Sequence, residues 1–158
     1  MPGTSIIAVG VDETDSSHRA LAWAAQAAVR RHADLEVVTA WTWDALEGAP
    51  IAAVDPQMMM SQAEDTQEAA VREVIDDLPE RPKIIRQIVQ GTAADALIDA
   101  SKHADLVVVG THGRGPVRAF LLGSVSLSVI KNAGCPVVVM PPAHDVTTPP
   151  GRLSAASR

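Results

Sequence analysis

The sequence predicts an α/β fold in which an open five-stranded parallel sheet carries helices on both faces. Short runs rich in β-branched residues, such as SIIAVGV near the start, alternate along the chain with longer, alanine-rich amphipathic runs. The short runs are apolar at successive positions, which is typical of strands that are buried on both faces. Strands of this kind that alternate with helices favour parallel pairing, with helices covering both sides of the sheet.

Five short runs are predicted to be the strands of this sheet. In two of them, DLVVV and PVVVM, valine fills most positions, and β-branched residues fit a pleated, buried surface well. The predicted strands cover residues 5–11, 35–41, 83–89, 105–109 and 136–140.

Four longer segments, at residues 16–31, 57–78, 92–103 and 124–133, are predicted to be helices. One face of the first is apolar and consists of Ala20, Leu21, Ala24, Ala27 and Ala28. Arg30 and Arg31 stand at its C-terminal end, where positive charge is favourable. Thr92 and Asp95 are spaced like a capping box at the start of the third helix, and Ser124 is the predicted cap of the fourth.

The chain outside these elements divides into an internal excursion and a tail. Residues 42–56 contain two prolines and a glycine and are predicted to be irregular. After Met140 the composition shifts to Pro, Ser, Thr and Ala without periodicity, so residues 142–158 are predicted to form a flexible tail. No internal repeat is visible, and residues 1–141 are therefore predicted to form a single domain.

Composition and charge exclude several classes of function. The 158 residues carry a net charge of −6 and show no basic stripe, which argues against nucleic acid as a partner. No apolar stretch is long enough to span a membrane, and the N-terminus lacks the core of a signal peptide. The lone cysteine, Cys135, favours a reducing compartment. We therefore expect a cytoplasmic protein that binds neither membranes nor nucleic acid.

A glycine-rich loop after the fourth strand is the strongest candidate for a binding site. Ligands of open parallel sheets bind beyond the carboxyl ends of the strands, and the segment there reads GTHGRGPVRAFLLGS. Glycine lets a ligand approach the backbone closely, and a helix N-terminus attracts phosphate. The residues that could form this anion cradle are Gly110, His112, Gly113, Arg114, Gly115, Gly123 and Ser124.

The spacing of the loop distinguishes it from two common phosphate-binding patterns. Neither G-x-x-x-x-G-K-[ST] nor G-x-G-x-x-G is present, which argues against a P-loop and a dinucleotide site. The loop matches G-x2-G-x9-G-[ST] at Gly110, Gly113, Gly123 and Ser124, and so resembles the ATP-binding signature of universal stress proteins. The blocks VGVDETDSSHRALAWAA, EVVTAW and NAGCPVVVMP extend the resemblance over residues 4–141.

The resemblance implies a ligand set and an assembly. It implies ATP and Mg²⁺ as ligands, Asp12 as a metal ligand, and a homodimer that pairs through the last strand. The implied nucleotide-binding residues are Gly10, Val11, Asp12 and Ala40 around the adenosine, Val109 and Gly110 at the ribose, and His112, Gly113, Arg114, Gly115, Gly123, Ser124 and Val125 around the phosphates. Glu13-Thr14 departs from the uncharged pair that is frequent in the family. The Glu13 carboxylate would repel the phosphates of a bound nucleotide unless it helps hold Mg²⁺ or points to solvent.

The function implied is that of an ATP-binding stress-response protein whose nucleotide state regulates conformation or partner binding. Two alternatives remain open: a slow ATPase or nucleotidyl-transfer relative, and a dimeric interaction module that binds no nucleotide. Catalysis would require a base or a water-orienting group beside the γ-phosphate, for which Asp12, Glu13 and His112 are the candidates. No second constellation for an acceptor substrate is visible, so a binding protein, not an enzyme, is expected.

Overall fold

The computed structural model describes residues 3–42, 55–111, 122–141 and 143, which form strands and helices in regular alternation. The strands are β1 (Ile6–Gly10), β2 (Asp34–Trp41), β3 (Ile84–Gln90), β4 (Leu106–Gly110) and β5 (Val137–Met140). The helices are α1 (Asp15–Arg31), α2 (Pro56–Ile75), α3 (Ala93–Ala100) and α4 (Ser124–Asn132). The predicted α/β class is confirmed.

The five strands form one parallel sheet in the order β3-β2-β1-β4-β5. The chain moves outward from β1 through β2 to β3, and then returns to the other side of β1 to form β4 and β5. The direction of winding therefore reverses between β1 and β4, and a crevice opens there at the carboxyl ends of the strands. This topology confirms the open parallel sheet and fixes the edge at which a ligand is expected.

Helices cover both faces of the sheet. Helices α1 and α2 enclose one half of the core with the β2 residues Leu35 and Val37, whereas α3 and α4 enclose the other half with Val38. All five residues of the apolar face predicted for α1 are buried. Most of them are alanines, whose small side chains let α1 lie close to β1 and β4, and this places its first turn beside the end of β4.

Several element boundaries differ from prediction, most clearly at the end of α2. The helix stops at Ile75 instead of Leu78, and the amide of Leu78 donates to the Ile75 carbonyl oxygen at 3.0 Å in a tighter final turn. Pro79 follows, and a residue before proline is disfavoured in helical geometry. At the start of α3 the predicted cap is confirmed, since the Thr92 hydroxyl accepts from the Asp95 amide at 3.1 Å.

Two predictions concern segments that lie mostly outside the described residues. Most of the irregular excursion predicted at residues 42–56 falls there, although α2 already begins at Pro56 with Asp55 as its cap. The predicted tail, residues 142–158, is described only at position 143. The division into a domain and a tail therefore stays a prediction. Among the helices in the described ranges, none has the length and apolar character needed to cross a bilayer.

Asp105 joins the starts of β1 and β4 and provides a pH-dependent contribution to stability. Its Oδ2 accepts from the Ile6 amide and the Ser5 hydroxyl, both at 2.9 Å. The Ile6 bond first, and then the Ser5 bond, hold the pKa of Asp105 below its ordinary value of 3.8.

We expect the Asp105 contribution to be present above pH 3.8 and to be lost as the pH falls through the lowered pKa of the folded state. The Asp105→Asn variant retains an acceptor but does not titrate. Its melting temperature should therefore fall less steeply than that of the wild type as the pH is lowered from about 4. Parallel curves for the two proteins would show that Asp105 contributes nothing to acid sensitivity.

Candidate functional site

A cavity of about 380 Å³ opens in the crevice between β1 and β4, a size within the usual range for small-molecule sites. It is bordered by the turn after β1, the end of β2, the first turns of α1, α3 and α4, and the end of β4. Nine of the predicted site residues line it: Gly10, Val11, Asp12, Ala40, Val109, Gly110, Gly123, Ser124 and Val125. The sequence thus identified residues that lie together in space although they are more than 100 positions apart in the chain.

The turn after β1 holds Asp12 in a defined position at the mouth of this cavity. The Asp12 amide donates to Ser17 Oγ at 3.0 Å, and Ser17 Oγ donates to the Asp12 carbonyl at 2.9 Å. One carboxylate oxygen, Oδ1, accepts from the backbone amide of Thr14 at 2.8 Å and from its hydroxyl. Asp12 also lines the cavity. Its carboxylate is thus placed where a ligand or a metal ion in the cavity could meet it.

The end of β4 and the first turn of α1 lie so close together that Gly110 has no room for a side chain. A β-carbon built on Gly110 would lie 2.6 Å from Ser16 Oγ and 2.8 Å from the backbone carbonyl carbon of Ser16. Both residues line the cavity. Glycine at this position is thus required by packing, independently of any role in binding.

The first turn of α4 lines the cavity, and its backbone amides have no side-chain cap within the described residues. Gly123 is the N-cap, and no side chain forms a capping bond. The first helical hydrogen bond comes from the Leu127 amide to the Gly123 carbonyl at 3.0 Å, so the amides before it are free of helical partners. The other three helices are each capped by a side chain, from Thr14, Asp55 and Thr92.

The prediction that Ser124 caps α4 is therefore wrong. Ser124 is the first residue inside the helix, and its side chain is exposed at the cavity. The helix begins at this point because the Gly123 amide donates to the Thr111 carbonyl at 2.8 Å, which ties Gly123 to the end of β4. Ser126 Oγ donates to the Gly123 carbonyl at 3.0 Å and supports the same geometry.

One wall of the cavity is apolar and another is polar. The apolar wall is formed by Val38, Ala40, Leu97, Val109 and Val125. On the polar side, Thr111 Oγ1 is buried and has no hydrogen-bond partner among the described residues. A buried hydroxyl without a partner is costly, and a polar ligand in the cavity could satisfy it. The cavity thus suits a ligand with one apolar part and one polar part.

Four predicted residues, His112, Gly113, Arg114 and Gly115, lie outside the described residues, so their placement stays a prediction. Sequence reasoning also missed eight residues that line the cavity: Thr14, Ser16, Ser17, Val38, Ala93, Leu97, Thr111 and Ser126. Three hydroxyl residues within five positions of Asp12, namely Thr14, Ser16 and Ser17, were a signal that could have identified three of them.

The cavity offers few side chains that could ligate a metal ion. In the described ranges, no group of three or more His, Cys, Asp or Glu side chains could hold an ion. Asp12 is the one acidic residue among those that line the cavity. A cation at this place would therefore need oxygen ligands from a bound phosphate and from water, as is usual for Mg²⁺.

The comparison with known families decides what kind of protein carries this cavity. The sequence profile of the universal stress protein family matches residues 4–141. This chain belongs to the universal stress protein family. A universal stress protein of Mycobacterium tuberculosis is 37% identical over 142 residues, which are 87% of this chain and 46% of that protein. The chain thus spans about half the length of the mycobacterial universal stress protein that it matches.

Solved structures of universal stress proteins have the same fold. The universal stress protein UspA from Lactobacillus plantarum aligns with a TM-score of 0.70 at 25% identity, over 89% of this chain and 99% of that one. A universal stress protein in complex with cAMP aligns with a TM-score of 0.55 at 31% identity, over 86% of this chain and 95% of that one. The resemblance derived from the glycine spacing is thus confirmed at the level of family and fold.

Proposed function

We propose that this universal stress protein binds ATP in the cavity between β1 and β4, and that the bound nucleotide regulates its conformation or its choice of partner. The observation that carries the proposal is the uncapped first turn of α4 at the cavity, together with Gly123 and Ser124 of the glycine signature. Free amides at a helix N-terminus favour phosphate. The related protein solved with cAMP supports an adenine nucleotide as the ligand.

The two walls of the cavity fit the two ends of a nucleotide. The apolar wall, with Val38 and Leu97, would cover the adenine ring, and the backbone of Ala40 would meet its polar edge. The first turn of α4 would hold the phosphates, and Thr111 Oγ1 would gain a partner. Asp12 would provide one carboxylate oxygen to a Mg²⁺ ion that also contacts the phosphates.

We propose a binding protein and not an enzyme. Asp12 is the one titratable side chain among its described lining residues, and its Oδ1 is already engaged by Thr14. Hydrolysis would require a group that orients water beside the terminal phosphate. We therefore expect that any turnover is well below the range of roughly 1–1000 per second that is typical of enzymes.

Titration calorimetry with Mg-ATP, run beside a phosphate-release assay, tests both parts of this proposal. The wild type should bind one ATP per chain and release phosphate very slowly. Asp12→Ala should weaken binding by about tenfold, because the metal loses a ligand and the turn loses an acceptor for Thr14. Asp12→Asn keeps that acceptor and isolates the effect of the charge. Fast phosphate release that Asp12→Ala abolishes without loss of affinity would instead identify an ATPase.

We further propose that two copies pair through β5. This strand is at one edge of the sheet, its four residues are partly exposed, and an apolar edge strand without a partner favours association. Helix α4, which packs on β5, also exposes Leu127 and Ile130 by 40% and 43%. An interface of this kind would be two-fold symmetric.

Analytical ultracentrifugation at micromolar concentration should therefore show a dimer of the 16.6 kDa chain. Ile130→Asp, which places a charge at an exposed position of α4, should shift the equilibrium towards monomer by tenfold or more. Met58→Asp is the matched control, since Met58 is a similarly exposed apolar residue on α2. A monomeric wild type, or equal effects of the two variants, would contradict pairing at this edge.

A further inference from the structure

A buried polar side chain, Gln67 of α2, contacts Thr39, which lies between the cavity residues Val38 and Ala40. It is fully buried, and its amide nitrogen lies 3.0 Å from the Val37 carbonyl, 3.1 Å from the Gln87 carbonyl and 3.1 Å from Thr39 Oγ1. Its amide oxygen accepts from Arg86 Nε at 2.9 Å. A buried carboxamide with partners on both ends is held firmly in one orientation.

The side chains of Arg86, Gln67 and Thr39 each donate to the next group in the series, so the direction of every hydrogen bond is defined. A guanidinium group only donates, so Arg86 fixes the oxygen of Gln67 as the acceptor and turns its NH₂ group towards Thr39. The Thr39 hydroxyl accepts from that NH₂ group and uses its own proton to donate to the Val11 carbonyl at 2.9 Å. These hydrogen bonds thus form a series that runs from Arg86 of β3 to Val11, in the turn that borders the cavity.

The last hydrogen bond of this series, from Thr39 to the Val11 carbonyl, lies where the pairing of β1 with β2 ends. The register between them stops at Gly10 and Val38, and the Val11 amide still donates to the Val38 carbonyl at 2.9 Å. The next ladder bond would join the Ala40 amide to the Val11 carbonyl, because alternate residues of a strand direct their amides to the same side. At that carbonyl the Thr39 hydroxyl is the donor instead. The backbone edge of Ala40 is left to face the cavity that Ala40 lines.

We propose that Thr39 is a positioning residue for the base of the bound nucleotide, an inference that rests on the proposed function. Held by Gln67, its hydroxyl fixes the Val11 carbonyl and keeps the backbone of Ala40 available to the polar edge of adenine. Thr39 is not among the residues that line the cavity, so it would touch neither the base nor the phosphates. The Thr39 hydroxyl therefore affects the affinity for the base, whereas the affinity for the phosphate groups alone does not depend on it.

The test compares two variants of Thr39 with two probes. Thr39→Val keeps the shape and loses the hydroxyl, whereas Thr39→Ser keeps the hydroxyl. Calorimetry with ATP and with inorganic triphosphate gives the affinity with and without the base. Thr39→Val should weaken ATP binding by about five- to tenfold, the effect of one hydrogen bond, and leave triphosphate binding unchanged. Thr39→Ser should bind both probes as the wild type does.

The possible results separate the two proposals. If the wild type binds neither probe, the proposed function is wrong, and the role of Thr39 falls with it. If the wild type binds ATP and Thr39→Val binds it equally well, or loses both probes alike, only the positioning role is wrong. Should Thr39→Val fail to fold, Gln67→Met provides the same test, because it keeps the hydroxyl and removes the group that orients it. If the variant loses affinity for ATP and not for triphosphate, the positioning role of Thr39 is supported. If no such selective loss is found, that role is overturned.

Discussion

Replacement of Gly110 by alanine is expected to destabilise the fold by about 1–3 kcal/mol and to disrupt nucleotide binding at the same time. The added β-carbon would lie 2.8 Å from the backbone carbonyl carbon of Ser16, and a backbone atom cannot rotate away as a side chain can. Either β4 or the first turn of α1 must move. Because both border the cavity, its shape changes with them, and we expect ATP affinity to fall at least tenfold.

Chemical denaturation and calorimetry on the same samples measure the two effects of Gly110→Ala. Gly134→Ala is the matched control, since a β-carbon there meets nothing nearer than the Ser101 carbonyl oxygen at 3.4 Å. It should change neither stability nor affinity appreciably. If Gly110→Ala behaves like this control, the close approach of β4 and α1 does not shape the site.

A negative charge at the first turn of α4 is expected to weaken nucleotide binding at least tenfold without unfolding the protein. Ser124→Glu would place a carboxylate among the amides proposed to hold the phosphates. At about 6 Å and an effective dielectric constant of about 40, each pair of like charges costs about 1.4 kcal/mol, or about tenfold in affinity. The same carboxylate is favourable at a helix N-terminus, so the melting temperature should stay constant or rise.

Ser124→Gln separates charge from size in this experiment. Glutamine has nearly the volume of glutamate and no charge, and therefore reports the steric part of the effect alone. We expect Ser124→Gln to bind ATP at least tenfold more tightly than Ser124→Glu. Equal affinities would show that the phosphates do not lie at this helix, and the ligand would then have to be held elsewhere in the cavity.

The fold was predictable because its signals are local. Short runs rich in β-branched residues identified the strands, and the spacing of Ala20, Leu21 and Ala24 identified the buried face of α1. The end of α2 was less predictable, because Pro79 limits the helix without fixing its last residue. Sequence thus determined which elements exist and left their exact ends to local geometry.

The start of α4 could not be read from the sequence because a tertiary contact decides it. Gly123 and Ser124 are both acceptable caps, and the bond from the Gly123 amide to the Thr111 carbonyl selects Gly123. Leu97 was missed for a related reason. It reaches the cavity only because α3 packs so closely that a β-carbon on Gly10 would lie 2.8 Å from Leu97 Cδ1.

The most direct test of the central claim is an NMR chemical-shift map recorded while Mg-ATP is added to the wild-type protein. The claim is that the nucleotide binds at the carboxyl ends of β1 and β4. Saturable shifts are therefore predicted for the amides of Gly10, Asp12, Ala40, Gly110 and Ser124. Ile6 and Asp105, at the opposite ends of the same two strands, should not shift. No shifts at millimolar ATP, or shifts confined to Ile6 and Asp105, would contradict the claim.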